Sequence, residues 1–179
     1  MPYKTGQELK GAKGLKFGAV GPNSPAAVGD ALVAEFLGLT DFKIISGYTG
    51  GSALVLAIGK KEIDGFASPM TTVFQAVDKG FTNGPPVVVV GPKRIDGYPN
   101  IPCITELTEM TPEKDALLKA SMTLLSSMRA FGGPPDIAAD KVTFLKAAFA
   151  KIAAMPGFQS QAKYYFPLWT TPMSGDEVA

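Results

Sequence analysis

The 179-residue sequence contains no histidine. That absence removes Ser-His-Asp and Cys-His catalysis, every histidine general base and every histidine-ligated metal. Cysteine occurs once, at Cys103, so neither an intrachain disulfide nor a four-cysteine zinc site can form. A surplus of either charge is missing too: 17 Lys and Arg oppose 16 Asp and Glu. A net charge of +1 gives no electrostatic reason to expect nucleic acid or an anionic membrane as partner. No apolar run approaches the roughly 20 residues a membrane helix needs. The first residues, Met1–Thr5, carry no apolar core of a secretion signal.

What is present is an ordinary globular composition, 46% hydrophobic and 18% charged, with an excess of two residue types. The 20 glycines and 15 prolines make up about a fifth of the chain, against roughly 12% in average usage. The length suits one large domain or two small ones. It is enough to bury roughly 70% of the unfolded surface without disulfides or metals. The loops are therefore numerous, and the question is what they carry.

Strand-like and helix-like segments alternate through the first half. Leu15–Val20 reads as a strand running into Gly21, Pro22, Asn23 and Ser24. Ser24 suits an N-cap and Pro25 the first helical position, where its missing N–H costs nothing. Val28, Leu32, Phe36 and Leu39 follow at helical spacing, with Gly38 as a stop. Phe42–Ile45 is a second strand. Gly47–Ser52 is the next turn, with Ser52 as a cap for a helix over Ala53–Lys61. Ile63–Ala67 is a third strand. Ser68 and Pro69 repeat the cap-and-proline signature and open a helix to about Lys79. Val87–Val90, apolar on both faces, reads as a buried fourth strand. This alternation predicts an α/β fold with a mainly parallel sheet flanked by helices.

The second half is more helical. A prolyl connection leads to a short helix near Thr105–Leu107 and to one opened by Thr111, Pro112 and Glu113. Arg129–Phe131 is a candidate strand. Asp140–Ala154 is the most amphipathic segment, with Val142, Leu145, Phe149 and Ile152 on one stripe. A helix from Pro156 to Tyr165, an extended run over Phe166–Thr171 and a helix start at Ser174 complete the chain. Trp169 and the aromatic run Tyr164–Phe166 are expected to pack this last segment.

Three turns share a chemistry: Gly21–Ser24, Tyr48–Ser52 and Ser68–Pro69. Each follows a strand and opens a helix. In a parallel sheet all three lie at the edge where open α/β sheets bind ligands. Helix N-termini offer unpaired N–H groups and a positive dipole end, which suit a carboxylate. Ser24, Thr49, Ser52 and Ser68 add hydroxyls. The alternative is plain capping, the commonest reason for Ser or Gly before a helix. The glycine spacing matches neither a dinucleotide fingerprint nor a phosphate-binding loop. Tyr48 lines a cleft or sits on the surface. Asp64 is read as a carboxylate bonded to backbone, the alternative being a catalytic base. Cys103 is read as a small buried apolar residue.

These residues, in order, resemble the substrate-binding receptors of tripartite tricarboxylate transporters (Bug-type periplasmic solute-binding proteins). The resemblance is carried by Lys16–Ser24, by Gly47–Gly51, by Gly59–Asp64, and by Gly91–Arg94 with Tyr98, Pro99, Ile101, Pro102, Glu106 and Leu107. Arg129–Pro135 and Pro172–Glu177 continue it. It implies one lobe of a type II periplasmic-binding-protein, or Venus flytrap, fold. Residues 1–120 would be the second ligand-binding lobe, and 121–179 the segment returning to a first lobe that is mostly missing. It implies no catalysis and no cofactor or metal. It also implies a periplasmic or extracytoplasmic location, membrane permease subunits as partners, and a small organic carboxylate as ligand: a di- or tricarboxylate, an amino acid or an aromatic acid. Carried over by position, the ligand-binding residues are Val20, Gly21, Pro22, Asn23, Ser24, Tyr48, Thr49, Gly50 and Ser68. Thr49 stands where these receptors usually have Lys or Arg, Ser68 where they often have Asp, and Asn23 where they have glycine. Two other readings stay open: an anion-binding enzyme domain using Asp64 as base, and the effector-sensing domain of a regulator. The apolar face of residues 121–179 is expected to be covered by the second lobe or by a second copy of the chain.

Overall fold

A computed structural model describes residues 3–82, 84–95, 97–127 and 132–165. The chain divides into two compact units, Met1–Leu125 and Ser126–Ala179. The first unit opens with a short helix, α1 (Gly6–Leu9), capped by the Thr5 hydroxyl on the Glu8 N–H. Strand β1 (Leu15–Ala19) follows, then α2 (Pro25–Leu37), β2 (Phe42–Ser46), α3 (Gly51–Gly59) and α4 (Met70–Asp78). A single 3-10 turn at Ile104–Glu106 precedes α5 (Pro112–Ser127). The second unit holds α6 (Ala139–Ala154) and α7 (Pro156–Tyr165). No helix of the described residues is long and apolar enough to cross a membrane.

The local chemistry of α2 is the one its sequence calls for. Ser24 is the N-cap, its Oγ accepting from the Ala27 N–H at 3.3 Å. Pro25 is the first helical residue. Gly38 ends the helix in the left-handed conformation at φ 68°, its N–H reaching the Ala34 and Glu35 carbonyls. Only a residue without Cβ adopts that conformation without strain. Thr111 plays the Ser24 part at α5, accepting from the Lys114 N–H.

The fold is α/β with a parallel sheet. β1 and β2 pair in parallel from Leu15↔Phe42 to Ala19↔Ser46. The expected third strand shortens to one parallel bridge, Phe17↔Gly65, on the other side of β1. The expected fourth strand shortens in the same way to Val89↔Cys103. Val89 donates to the Pro102 carbonyl and accepts from the Ile104 N–H, both at 2.9 Å. A ladder needs a partner strand at matching register over several residues. The chain past Pro102 turns into the 3-10 helix after a single bridge, so Val87–Val90 stays irregular and half-buried.

Two apolar clusters hold this unit together. One gathers Leu15, Phe17, Leu32, Phe36, Ile104, Leu107 and Leu118. The other gathers Ala27, Leu54, Val55, Ile58, Ile63 and Ala76. Gly18 lets the second cluster approach β1, because a Cβ there would stand 2.5 Å from Ile63 and 2.9 Å from Leu54. Cys103 is buried, as expected of a small apolar residue, with its thiol on Glu106 Oε1 at 3.0 Å.

Two caps and one helix face differ from expectation. Gly50, not Ser52, is the N-cap of α3, and Pro69, not Ser68, that of α4; neither makes a side-chain cap bond. Ser52 therefore lies inside the first turn. The stripe on α6 forms, yet α6 has no buried residue. Leu145, Phe149 and Ile152 are all more than 40% exposed. The expected strand at Arg129–Phe131, the extended run over Phe166–Thr171, the helix start at Ser174, and Trp169 lie outside the described residues.

Candidate functional site

The topology brings the three turns to one sheet edge. Because β1 and β2 are parallel and in register, Val20–Ser24 and Gly47–Gly50 leave the sheet at the same end. The turns touch there: the Gly47 N–H donates to the Val20 carbonyl at 3.3 Å, and Tyr48 N–H to Ala19 at 3.4 Å. The Phe17↔Gly65 bridge is also parallel, with Gly18 N–H on the Gly65 carbonyl at 3.0 Å. Ser68, three residues on, therefore leaves toward the same end. Helix α3 starts against α4, where a Cβ on Gly51 would meet Thr72 at 2.8 Å. Three helix N-termini, those of α2, α3 and α4, thus open on one edge.

The side chains of that edge divide into used and unused groups. The Ser24 hydroxyl is committed, donating to the Gly21 carbonyl at 2.8 Å while it caps Ala27. Its role as cap is met, and its proton is not free for a ligand. Thr49 and Ser68 have no hydrogen-bond partner among the described residues, and neither does Asn23. Val20, Pro22, Asn23 and Thr49 are exposed; Gly21, Gly50 and Ser68 are half-buried. Tyr48 is half-buried against the Leu54 cluster, which places its ring between the two expected positions. Gly47 and Gly50 adopt φ of 112° and 157°, backbone that keeps this turn to glycine.

Asp64 stands elsewhere. Its Oδ2 accepts from the Lys16 N–H at 2.9 Å, and its own N–H donates to the Lys16 carbonyl at 2.7 Å. Lys16 is near the start of β1, whereas the turns follow its end. Asp64 is thus a backbone-bonded carboxylate remote from the helix starts, as its favoured reading had it. A separate concavity of about 380 Å³, lined by Pro92, Thr105, Met110, Leu118 and Met122, shares no residue with the three turns. No cluster of three Cys, Asp or Glu suited to a metal occurs among the described residues.

Two charged features escaped the sequence reading. Arg94 holds Glu106 through one guanidinium edge, Nε to Oε1 at 2.8 Å and Nη2 to Oε2 at 2.5 Å, while Nη1 reaches the Pro99 carbonyl. This clasp closes the prolyl connection. The Arg94 guanidinium, helped by the Cys103 thiol and N–H, lowers the Glu106 carboxyl to about 2. Asp30, in the middle of α2, is only 2% exposed. Its Oδ1 accepts from the Ala67 N–H at 2.7 Å. Burial pushes its carboxyl up to about 8, against the lowering effect of that hydrogen bond. An acid between Val28 and Leu32, in line with Ala26, Ala34 and Leu37 on a buried face, was the available signal.

No protein-family model matches the chain, and no curated protein matches it. Among solved structures, a TctC solute-binding protein from Polaromonas, determined without ligand, is similar to it. The TM-score is 0.49 and the identity 19%, over 70% of this chain and 48% of that one. The chain thus spans about half the length of that neighbour.

Proposed function

We propose that the chain is the ligand-binding part of an extracytoplasmic solute receptor. It captures a small organic carboxylate for a tripartite tricarboxylate-type transporter and hands it to membrane permease subunits. The observation that carries this reading is the convergence of three helix N-termini on one sheet edge. Their N–H groups and dipole ends favour an anion, and the Thr49 and Ser68 hydroxyls stand free beside them. The ordered resemblance of the turns to such receptors supports it. Asp64, bonded to Lys16 at the other end of β1, leaves the enzyme alternative without its base.

In this reading residues 1–120 form one ligand-binding lobe, and 121–179 are the segment that returns to another. Val20–Ser24, Tyr48–Gly50 and Ser68 are the ligand contacts. Contact with a second copy through residues 121–179 belongs to the same reading, and light scattering reads it. Binding without chemistry makes lobe closure the signal, a population shift driven by contacts made only in the closed state.

Isothermal titration of the chain with citrate, succinate, glutamate and benzoate at pH 7 tests it. The expected result is saturable binding of at least one, with a dissociation constant on the order of micromolar to millimolar. Thr49→Val and Ser68→Ala are each expected to weaken it roughly 2- to 10-fold, the effect of one lost hydrogen bond. Failure of all four to bind overturns the carboxylate reading.

A further inference from the structure

Asp30 is a buried acid that the binding edge itself does not use. It sits on the face of α2 turned to the chain just before Ser68. There the packing is tight: a Cβ on Gly29 would stand 2.5 Å from the Ala67 Cβ. One carboxyl oxygen holds the Ala67 N–H at 2.7 Å. The other, Oδ2, is fully buried with no hydrogen-bond partner among the described residues. A protonated carboxyl tolerates that position, leaving one O–H without an acceptor. An ionised one does not, because a buried carboxylate needs several donors or water. The Gly29–Ala67 contact holds α2 close against the Ala67 segment beside it.

We propose that Asp30 is a proton-sensitive latch: it fixes the Ser68 turn against α2 while protonated and releases that turn when the proton leaves Oδ2 for a base in solution. No ion pair replaces the proton. The charged groups on the elements packed against α2 are Lys16 on β1, Lys43 on β2, Lys114 on α5 and Asp64 before Ala67, with Glu35 on the helix itself. Lys16, Lys43 and Glu35 are exposed, Lys114 is taken up by the Thr108 hydroxyl and the Phe36 ring, and Asp64 by the Lys16 N–H. Burial and the Ala67 N–H alone set its proton affinity, which places the midpoint at about 8. The relevance to ligand capture rests on the proposed receptor reading, since Ser68 is one of its contacts. The latch itself does not.

Nuclear magnetic resonance of the intact, uniformly labelled chain tests it between pH 6 and 10. The Asp30 carboxyl carbon is expected to titrate near pH 8, and the Ala67 and Ser68 amide shifts to move with the same midpoint. Protection of the Ala67 amide, corrected for base-catalysed exchange, is expected to fall on the order of 10-fold across that range, as local opening replaces a closed contact. In Asp30→Asn, which keeps an acceptor for Ala67 and cannot ionise, protection should change less than about 2-fold. An Asp30 carbon that titrates below pH 6, or wild-type Ala67 protection that tracks the Asn variant, overturns the latch. These readouts need no bound molecule, so their failure leaves the receptor reading to the citrate titration, and a silent citrate titration leaves the latch to them.

Discussion

Helices α2 and α6 invite comparison because each presents a regular apolar stripe in sequence, and they end up differently. Nine of the 13 residues of α2 are buried, while none of the 16 in α6 is. The stripe of α2 meets β1 and β2, so Leu32 and Phe36 reach the core at 4% and 2% exposure. The stripe of α6 leaves Leu145 at 42% and Phe149 at 44%. Periodicity makes a face, and only a surface of matching shape within reach turns that face into a core.

The largest test of this contrast is a pair of truncations. Phe36→Ala removes a ring from the centre of the first cluster, and about 3–5 kcal/mol of stability should go with it. Phe144→Ala, on the exposed side of α6, should change stability by no more than about 0.5 kcal/mol. Urea denaturation of both variants reads the difference, and similar losses would break the comparison. Next comes the close contact on the other face of α2. Gly29→Ala forces a methyl into the Ala67 Cβ and is expected to cost about 1–3 kcal/mol by overpacking. Full retention of the wild-type melting temperature would show that α2 and Ala67 are less tightly seated than 2.5 Å implies.

A smaller effect is expected at the start of α2. Ser24→Ala removes the cap on Ala27 and should cost about 1 kcal/mol in thermal or chemical melts. A capped α5, with Thr111, should respond alike. The smallest effect concerns acid. Glu106 titrates at about 2 in the folded chain, below its ordinary 4.5. Its clasp with Arg94 therefore contributes above pH 4.5 and is lost as the pH falls toward 2. The pair is exposed, so the loss should be slight and weaker still in high salt. A stability profile between pH 5 and 2 that is the same for Glu106→Gln and wild type would remove it.

Much of the first unit was readable because its signals are local. A serine before a proline, a glycine after a leucine and a threonine before Pro112 each act on hydrogen bonds within one turn of the chain. They placed α2 and α5 within a residue of their observed ends. Val87–Val90 was not readable, since four valines describe a willing strand but not a partner for it. Ser52 and Ser68 look like caps, yet the cap position depends on how the chain arrives from the preceding segment. Gly50 and Pro69 take it because of that approach. Of the candidate site, the sequence marked the turns and their hydroxyls. It did not mark that the Ser24 proton is already given to Gly21, or that Asp30 stands behind Ser68.

The sequence by itself determined what this protein is built from. Without histidine and with one cysteine, it has no imidazole and a single thiol. Its glycines and prolines set where helices start and stop. The tertiary structure decided the rest, because pairing and burial are relations between distant residues. The parallel register of Ala19 with Ser46 and the bridge of Phe17 to Gly65 bring three separate turns to one edge. The same packing draws Asp30 out of water beside Ala67, giving an ordinary carboxylate a proton it would lose in solution.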